Sequence, residues 1–421
     1  MIYNALLNFS FVIMTNFFDL LPRKFFNVDA WDIGISLLFV LFLFRYKEGN
    51  ISFIKEVIAK NNKAYIKMLL IFVAFTLIVF FYSVVVNKYP LLETIQASRQ
   101  IILGYFLYFI YLRIYSNERC IQSTSRFLYF SSYLLLMLLI IQYLTKEQIF
   151  YGYFRFQGDE IRSIPIFLPI CFLFLWEIFQ RFLSGARLRL HESIYAVLLF
   201  TSTLLTFTRG IYFSLFLTLL FIFVYSKVRG EIKIVKIVPR IFLVTGIIII
   251  FLTSGYGEKY YELSKTGIED IFWTSTSTGG GTFGFRMAIL EERALLVLDH
   301  NPVLGYGFLH EQSAKKYAPF TIGTWNEDDR GLSFKSADIA WANIIIYLGY
   351  TGLAIFILFW LFFVFDFLKR YKNIGSFQAA LFFQMFFLFL LMWNGSAFTE
   401  FLQIPMISLA WYSISQERES I

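Results

Sequence analysis

Gly284-Phe285-Arg286-Met287-Ala288-Ile289-Leu290, followed by Asn301-Pro302-Val303-Leu304-Gly305-Tyr306-Gly307, stands in the one long polar stretch of this chain, from about Gly255 to Asp338. On either side the sequence reads as hydrophobic helix with short polar connections. That contrast decides the fold. A polar insert between two sets of apolar stretches is a large loop on one side of a membrane, and the apolar stretches are the helices that cross it.

Composition agrees. Hydrophobic residues make up 58% of the chain and charged residues 16%, against roughly 25% charged residues in a soluble domain. Several stretches reach the ~20 apolar residues that a bilayer requires. The sequence predicts an all-α, polytopic transmembrane helix bundle of about twelve spans. The expected spans are Ile2–Leu21, Trp31–Phe44, Met68–Val86, Ile101–Tyr115, Phe127–Leu144, Ile164–Phe179, Ile194–Leu205, Ile211–Tyr225, Ile241–Thr253, Ile339–Phe365, Phe377–Met392 and Phe401–Ile414. Residues 1–254 thus hold spans one to nine, residues 255–337 a large, partly helical outer loop, and residues 338–421 the last three spans. The first span lacks a basic leader and a small-residue cleavage site, so it reads as a retained helix. No internal repeat of the transporter kind is visible.

Charge sets the orientation. The loops Arg45–Lys67, Arg113–Arg126, Arg181–His191, Lys227–Arg240 and Lys369–Lys372 alternate onto one side. Positive loops stay in the cytoplasm, so both termini are expected there. Thr145–Ser163, the Arg209 turn, Gly255–Asp338 and Asn394–Glu400 then face outward. The net charge of +8 belongs to these basic loops and does not indicate nucleic acid. Cys120 and Cys171 sit at opposite ends of hydrophobic segments, and His191, His300 and His310 show no ligand spacing with them. Neither a disulfide nor a metal site is expected. The sequence has no phosphate loop, no His-Glu-x-x-His and no Gly-x-Ser-x-Gly elbow, which argues against an ATP-driven or zinc mechanism, and no cofactor is expected.

The long loop has parts of its own. Thr274–Gly281 is low in complexity and reads as a hinge. Phe285–Leu298 reads as a helix, with Leu290, Ala294 and Leu298 on one face toward the membrane domain. Asn301-Pro302 stops it, and Gly305 and Gly307 allow a tight turn. Trp325–Gly331 is polar and solvated.

Four arginines on the expected outer side, Arg155, Arg162, Arg209 and Arg286, run against the orientation rule. Arg209 is the sharpest, because a charge at a turn between two apolar spans is costly unless paired or wetted. Arginine grips phosphate bidentately and stays charged. Several arginines converging at a membrane surface suit a diphosphate just outside the lipid headgroups. The plainer reading is snorkelling, or pairing with Asp159, Glu160 or Glu400. Asp338 opens the tenth span. Such a carboxylate is most often a cap or dipole partner, and otherwise a general base for a hydroxyl. Glu400 is a candidate arginine partner, and Arg99 stands near the same surface, where its plainer role is an anchor.

Three motifs then carry a resemblance. Leu204-Leu205-Thr206-Phe207-Thr208-Arg209-Gly210, Arg286 with Asn301–Gly307, and Asp338 with Gly349-Tyr350-Thr351-Gly352-Leu353 resemble, in order and spacing, the O-antigen ligase/polymerase family of bacterial membrane glycosyltransferases. The resemblance implies transfer of a glycan from a polyprenyl-diphosphate carrier to an acceptor hydroxyl at the outer face of the inner membrane. It implies no nucleotide, and in the ligase branch no metal. Arg209 and Arg286 would grip the leaving diphosphate, and Arg155, Arg162, Arg99 and Glu400 would serve the substrate. A chain-length regulator and a flippase would be partners. Asp338 stands where the ligase branch often has a histidine, which favours repeat-unit polymerisation over ligation and leaves the carboxylate as the base. A lipid-linked-glycan flippase is the reading from another class. It would place charge at mid-membrane, whereas the charges here gather at helix ends.

Overall fold

A computed structural model describes residues 2–14, 20–21, 24–25, 28–46, 64–99, 101–102, 118–151, 153–157, 160–164, 167–206, 208–233, 253, 282–323, 325–326, 331–332, 339–370 and 376–393. The described elements are helices with three short two-stranded ribbons, β1 (Lys24–Phe25) with β2 (Val28–Asp29), β3 (Tyr153–Gln157) with β4 (Glu160–Ile164) and β5 (Trp325–Asn326) with β6 (Gly331–Leu332). In chain order the helices are α1 (Ile2–Met14), α2 (Ala30–Tyr46), α3 (Ala64–Phe81, continued by a π-turn at Tyr82–Val86), α4 (Glu118–Thr145), α5 (Leu168–Leu183), α6 (Leu190–Leu205) and α7 (Arg209–Val228). After them come α8 (Thr282–His300), α9 (Glu311–Tyr317), α10 (Ala340–Arg370) and α11 (Ser376–Leu391).

Nine of the expected spans coincide with α1–α7, α10 and α11. Those at Ile101–Tyr115, Ile241–Thr253 and Phe401–Ile414 lie outside the described residues, save for 101–102 and 253. Four helical stretches are long and apolar enough to cross a membrane: Lys67–Val86, Gln122–Thr145, Gly210–Val228 and Ala340–Lys369. Asp32–Leu41, Leu190–Leu205 and Phe377–Leu391 are shorter apolar helices. Large apolar side chains stand exposed along them, with Phe81 at 61%, Phe216 at 63% and Leu361 at 60%. Long apolar helices with greasy outer surfaces make this a multi-pass membrane protein.

The segment expected as a compact loop at Thr145–Ser163 contains an antiparallel hairpin, β3 (Tyr153–Gln157) with β4 (Glu160–Ile164). The following span therefore begins at Leu168, later than the expected Ile164, which is the last strand residue. Pro169 sits in the first turn of α5, where a missing N–H costs nothing.

Some polar groups inside the bundle pair with one another, as a lipid setting favours. Trp176 Nε1 of α5 donates to Gln384 Oε1 of α11 at 2.9 Å, and Gln384 Nε2 donates to the Pro169 carbonyl at 2.6 Å. Around this pair the rings of Phe172 and Phe387 pack at 4.6 Å. α3 lies along α10, with Phe72 and Phe356 at 5.5 Å.

Ring contacts also fix which helix ends share a side. Tyr225, near the end of α7, stacks on Phe367 near the end of α10 at 5.4 Å. Phe367 in turn lies face to face with Phe382, near the start of α11. The opposite ends therefore gather together: the start of α7, the start of α10 and the end of α11. The hairpin joins them through Phe172, just inside α5, against Phe387. This is the loop side.

Candidate active site on the loop side

A broken helix organises the site. Gly349 interrupts α10 with φ 65° and ψ −172°. Every residue from Ile339 to Gly349 is buried, whereas beyond the break α10 shows a periodic exposed face. A break leaves backbone groups without helical partners, and burying them unpaired costs several kcal/mol each, to order of magnitude. The turn after α8 supplies the partners. Tyr306 N–H donates to the Ile346 carbonyl and Tyr350 N–H to the Pro302 carbonyl, both at 2.9 Å.

The same turn is pinned to α3. Asn301 accepts from Val303 and Leu304 N–H at 3.1 Å and donates to the Tyr82 hydroxyl at 3.1 Å. Asn87 donates to the Tyr306 carbonyl at 2.9 Å, and Phe308 N–H donates to Ser83 Oγ at 2.8 Å. Tyr82 and Ser83 belong to the π-turn, a local widening of the helix. The expected tight turn is present, with Gly305 and Gly307 at φ +66° and +76°. Its glycines serve close backbone packing against α10 and Ser83.

α8 covers this joint, and here the expected helix face is corrected. Leu298 is exposed at 53% and Leu295 at 55%. The buried stripe is Ile289, Arg293 and Val297, and Arg286 shares it two helical turns before Arg293. The helix is rotated because its inward face carries guanidinium groups that find partners there. Arg293, 1% exposed, pairs with Glu292, donates to the Ile322 carbonyl at 2.8 Å and lies 4.8 Å above the Phe320 ring. Burial pushes its pKa down, partly opposed by Glu292. Glu292 also accepts from Thr321 N–H and hydroxyl and from Ile322 N–H. The Tyr350 hydroxyl donates to the Ala294 carbonyl at 3.1 Å. α8 is thus fixed in rotation, and Arg286 is half-buried with its Nε out of solvent.

The other expected residues fall as follows. Arg209 opens α7 after an extended Thr208, and Tyr212 ties this start to the end of α6, its hydroxyl donating to the Leu204 carbonyl at 2.8 Å. A cation in the first turn adds to the positive end of the helix dipole. Arg155 and Arg162 are directly opposed partners in the hairpin register. Arg99 makes a 2.8 Å ion pair with Asp32, a carboxylate the sequence did not single out. Asp338 and Glu400 lie outside the described residues. The helix that Asp338 precedes begins beside the end of α11, where Ala340 N–H donates to the Met392 carbonyl at 3.0 Å.

The loop side therefore gathers the start of Arg209's helix, the hairpin with its opposed arginines, and α8 with two inward guanidinium groups. Sequence reasoning missed Arg293. Its signal was there, since it follows Arg286 by seven residues and so returns to the same helix face.

No curated protein matches the chain. A family model described as O-antigen ligase matches residues 194–357. That stretch contains Arg209, Arg286, Asp338, the Asn301–Gly307 turn and the break at Gly349, and leaves Arg155, Arg162, Arg99 and Glu400 outside. Over this stretch the chain is similar to the O-antigen ligase family.

Proposed function

We propose that this protein is an outer-face polysaccharide polymerase of the bacterial inner membrane. It transfers a glycan from a polyprenyl-diphosphate carrier to an acceptor sugar hydroxyl, with both of its own termini in the cytoplasm. The carrying observation is the family match across 194–357 together with an inward-facing Arg286 on a helix locked in rotation. In the reaction the acceptor oxygen bonds to the anomeric carbon, and the bond from that carbon to the diphosphate breaks. The electron pair leaves with the diphosphate. Asp338 takes the acceptor proton. Arg286 and Arg209 neutralise the leaving charge, an effect that in a water-poor site is worth several kcal/mol, to order of magnitude. Arg155 and Arg162 hold the second phosphate or the growing glycan, and Arg99 and Glu400 border the substrate region. A chain-length regulator and a flippase are the expected partners.

The test is product analysis with a defined lipid-linked repeat unit. Arg286→Ala should lower transfer by about a hundredfold or more, and Arg286→Lys should rescue little, because the ammonium lacks the bidentate fork. Normal chain ladders from both variants would reject the role. The family description favours a second reading, a ligase with the same donor. Carrier-linked chains that form but never reach a final acceptor in the variants would indicate it. Movement of carrier lipid across vesicles with no glycosidic bond formed would indicate a flippase.

A further inference from the structure

The outward face of α8 carries large apolar side chains that a helix in water would bury. Its inward face holds Ile289 and Val297 with the guanidinium groups of Arg293 and half-buried Arg286 among them, and its outward face holds Leu295 and Leu298 below Glu291, continued past the helix end by Val303 at 53% exposure. We propose that this stripe, Leu295–Leu298–Val303, is seated in the acyl-chain layer of the bilayer leaflet on the loop side, so that the C-terminal half of α8 is an interfacial helix.

Three observations set the depth. The stretch from Tyr350 to Lys369, at 1.5 Å per residue, is about 30 Å long, the thickness of the hydrocarbon core. With Lys369 at the opposite surface, Tyr350 stands at the edge of that core. Its hydroxyl and N–H hold the Ala294 and Pro302 carbonyls, which places Leu295 and Val303, their chain neighbours, at the same level. Next, the apolar surface is continuous with lipid-facing helix. Asn301 and Tyr306 bond to Tyr82 and Asn87, and between these stand Val85 and Val86, exposed at 67% and 62%. Last, the acidic residues are placed for an interface. Glu291 lies a turn farther from Tyr350, and Asp299 flanks the stripe, where its carboxylate reaches headgroup water. Lipid on one side and the Arg293–Glu292 pair on the other then hold α8 at headgroup depth.

The test is collision accessibility in proteoliposomes of phosphatidylethanolamine and phosphatidylglycerol. Nitroxide labels would be placed at Leu295→Cys, Leu298→Cys and Val303→Cys in full-length protein carrying Cys120→Ser and Cys171→Ala. Leu361→Cys, on the exposed face of α10, serves as the lipid reference, and Glu147→Cys as the water reference. Oxygen collisions should exceed those of a water-soluble nickel chelate severalfold at all three sites, as at Leu361. Chelate collisions dominating as at Glu147 would overturn the proposal. So would low collision with both reagents, which would mean that a protein surface or a second copy covers the stripe. If the labelled variants fail to fold, Leu298→Phe and Leu298→Asp decide it. Membrane seating requires that Phe leave membrane insertion and melting unchanged and that Asp lower the melting temperature; equal melting of the two overturns it. None of these readouts depends on glycan transfer.

Discussion

Gly305 and Gly349 meet backbone to backbone. A Cβ on Gly305 would stand 2.6 Å from the Ile346 carbonyl oxygen, and one on Gly349 would stand 2.6 Å from the Val303 carbonyl oxygen. Both residues also hold φ near +65°, which side chains rarely adopt. The loop and the broken helix can interlock only because neither residue carries a side chain. Gly305→Ala and Gly349→Ala should therefore each destabilise by about 3 kcal/mol or more, since strain and overlap with backbone add. Gly230 is the control. Its φ is +71° but nothing lies within 4 Å of its Cβ, so Gly230→Ala should cost only about 1 kcal/mol. Thermal melting in detergent reads the difference, and equal shifts for all three would refute the interlock.

Ser83 is the second fastening. Its hydroxyl donates to the Val79 carbonyl at 2.7 Å and accepts from Phe308 N–H at 2.8 Å, fully buried. Ser83→Ala leaves Phe308 N–H unpaired and should cost about 1–3 kcal/mol. Hydrogen exchange at Phe308 should accelerate more than exchange at Tyr306, whose N–H bonds to Ile346 and not to Ser83. Uniform acceleration along the turn would point to general loosening.

Arg293 is expected to matter for stability first. Removing one partner of a buried pair strands the other charge, and Arg293→Ala should destabilise by about 3 kcal/mol. Arg293→Met, which keeps the bulk, should recover part of the packing and none of the bond to Ile322. If both variants melt like the parent, the clamp formed by Glu292, Arg293 and Ile322 does not hold α8.

Much of this architecture was legible in the sequence. Nine described helices fall on expected spans because apolar runs flanked by basic loops are a strong and simple signal. α8, expected at Phe285–Leu298 and found at Thr282–His300, was visible from periodicity, as was the stop at Asn301-Pro302. The facing of α8 was misread in part: Leu290 packs against the core, but Leu298 is exposed and Arg293 took the inward position, because leucine spacing takes no account of a guanidinium that finds buried partners. The hairpin at Tyr153–Ile164 was read as loop because its two five-residue strands are short and edged by charge. The break at Gly349 was out of reach. A glycine in an apolar run reads as tolerated helix, and only the partner loop, over forty residues earlier, shows why it is needed.

His300 gives a pH dependence. It stacks on Tyr306 with ring centroids 4.1 Å apart, and burial holds its pKa below the ordinary imidazole value. Because the folded pKa is the lower one, the unfolded chain takes up the proton first on acidification. The stability this neutral ring contributes is complete above the unfolded imidazole pKa, about 6.5. It is lost as pH falls from there through the folded value. The melting temperature should drop over that window, and His300→Phe, which keeps the ring and removes the proton site, should flatten the drop. An unchanged slope in the variant would assign the pH response elsewhere.

Arg155 and Arg162 let the proposed substrate role be tested against hairpin stability. They are directly opposed in the β3–β4 register, and like charges at opposed positions destabilise a hairpin by a fraction of a kcal/mol, to order of magnitude. A sequence keeps such a pair at a cost to the fold, which is expected where an anion neutralises both. Arg162→Glu replaces repulsion with attraction. It should stabilise the hairpin by about 0.5 kcal/mol, seen as slower hydrogen exchange of the β3 and β4 amides. If the pair holds phosphate or glycan, the same variant should raise KM for a lipid-linked repeat unit well before it lowers kcat, since binding is removed and the leaving-group contacts of Arg286 are not. A hairpin that tightens while KM stays fixed would make the opposed arginines a surface feature of the membrane interface and remove them from the substrate site.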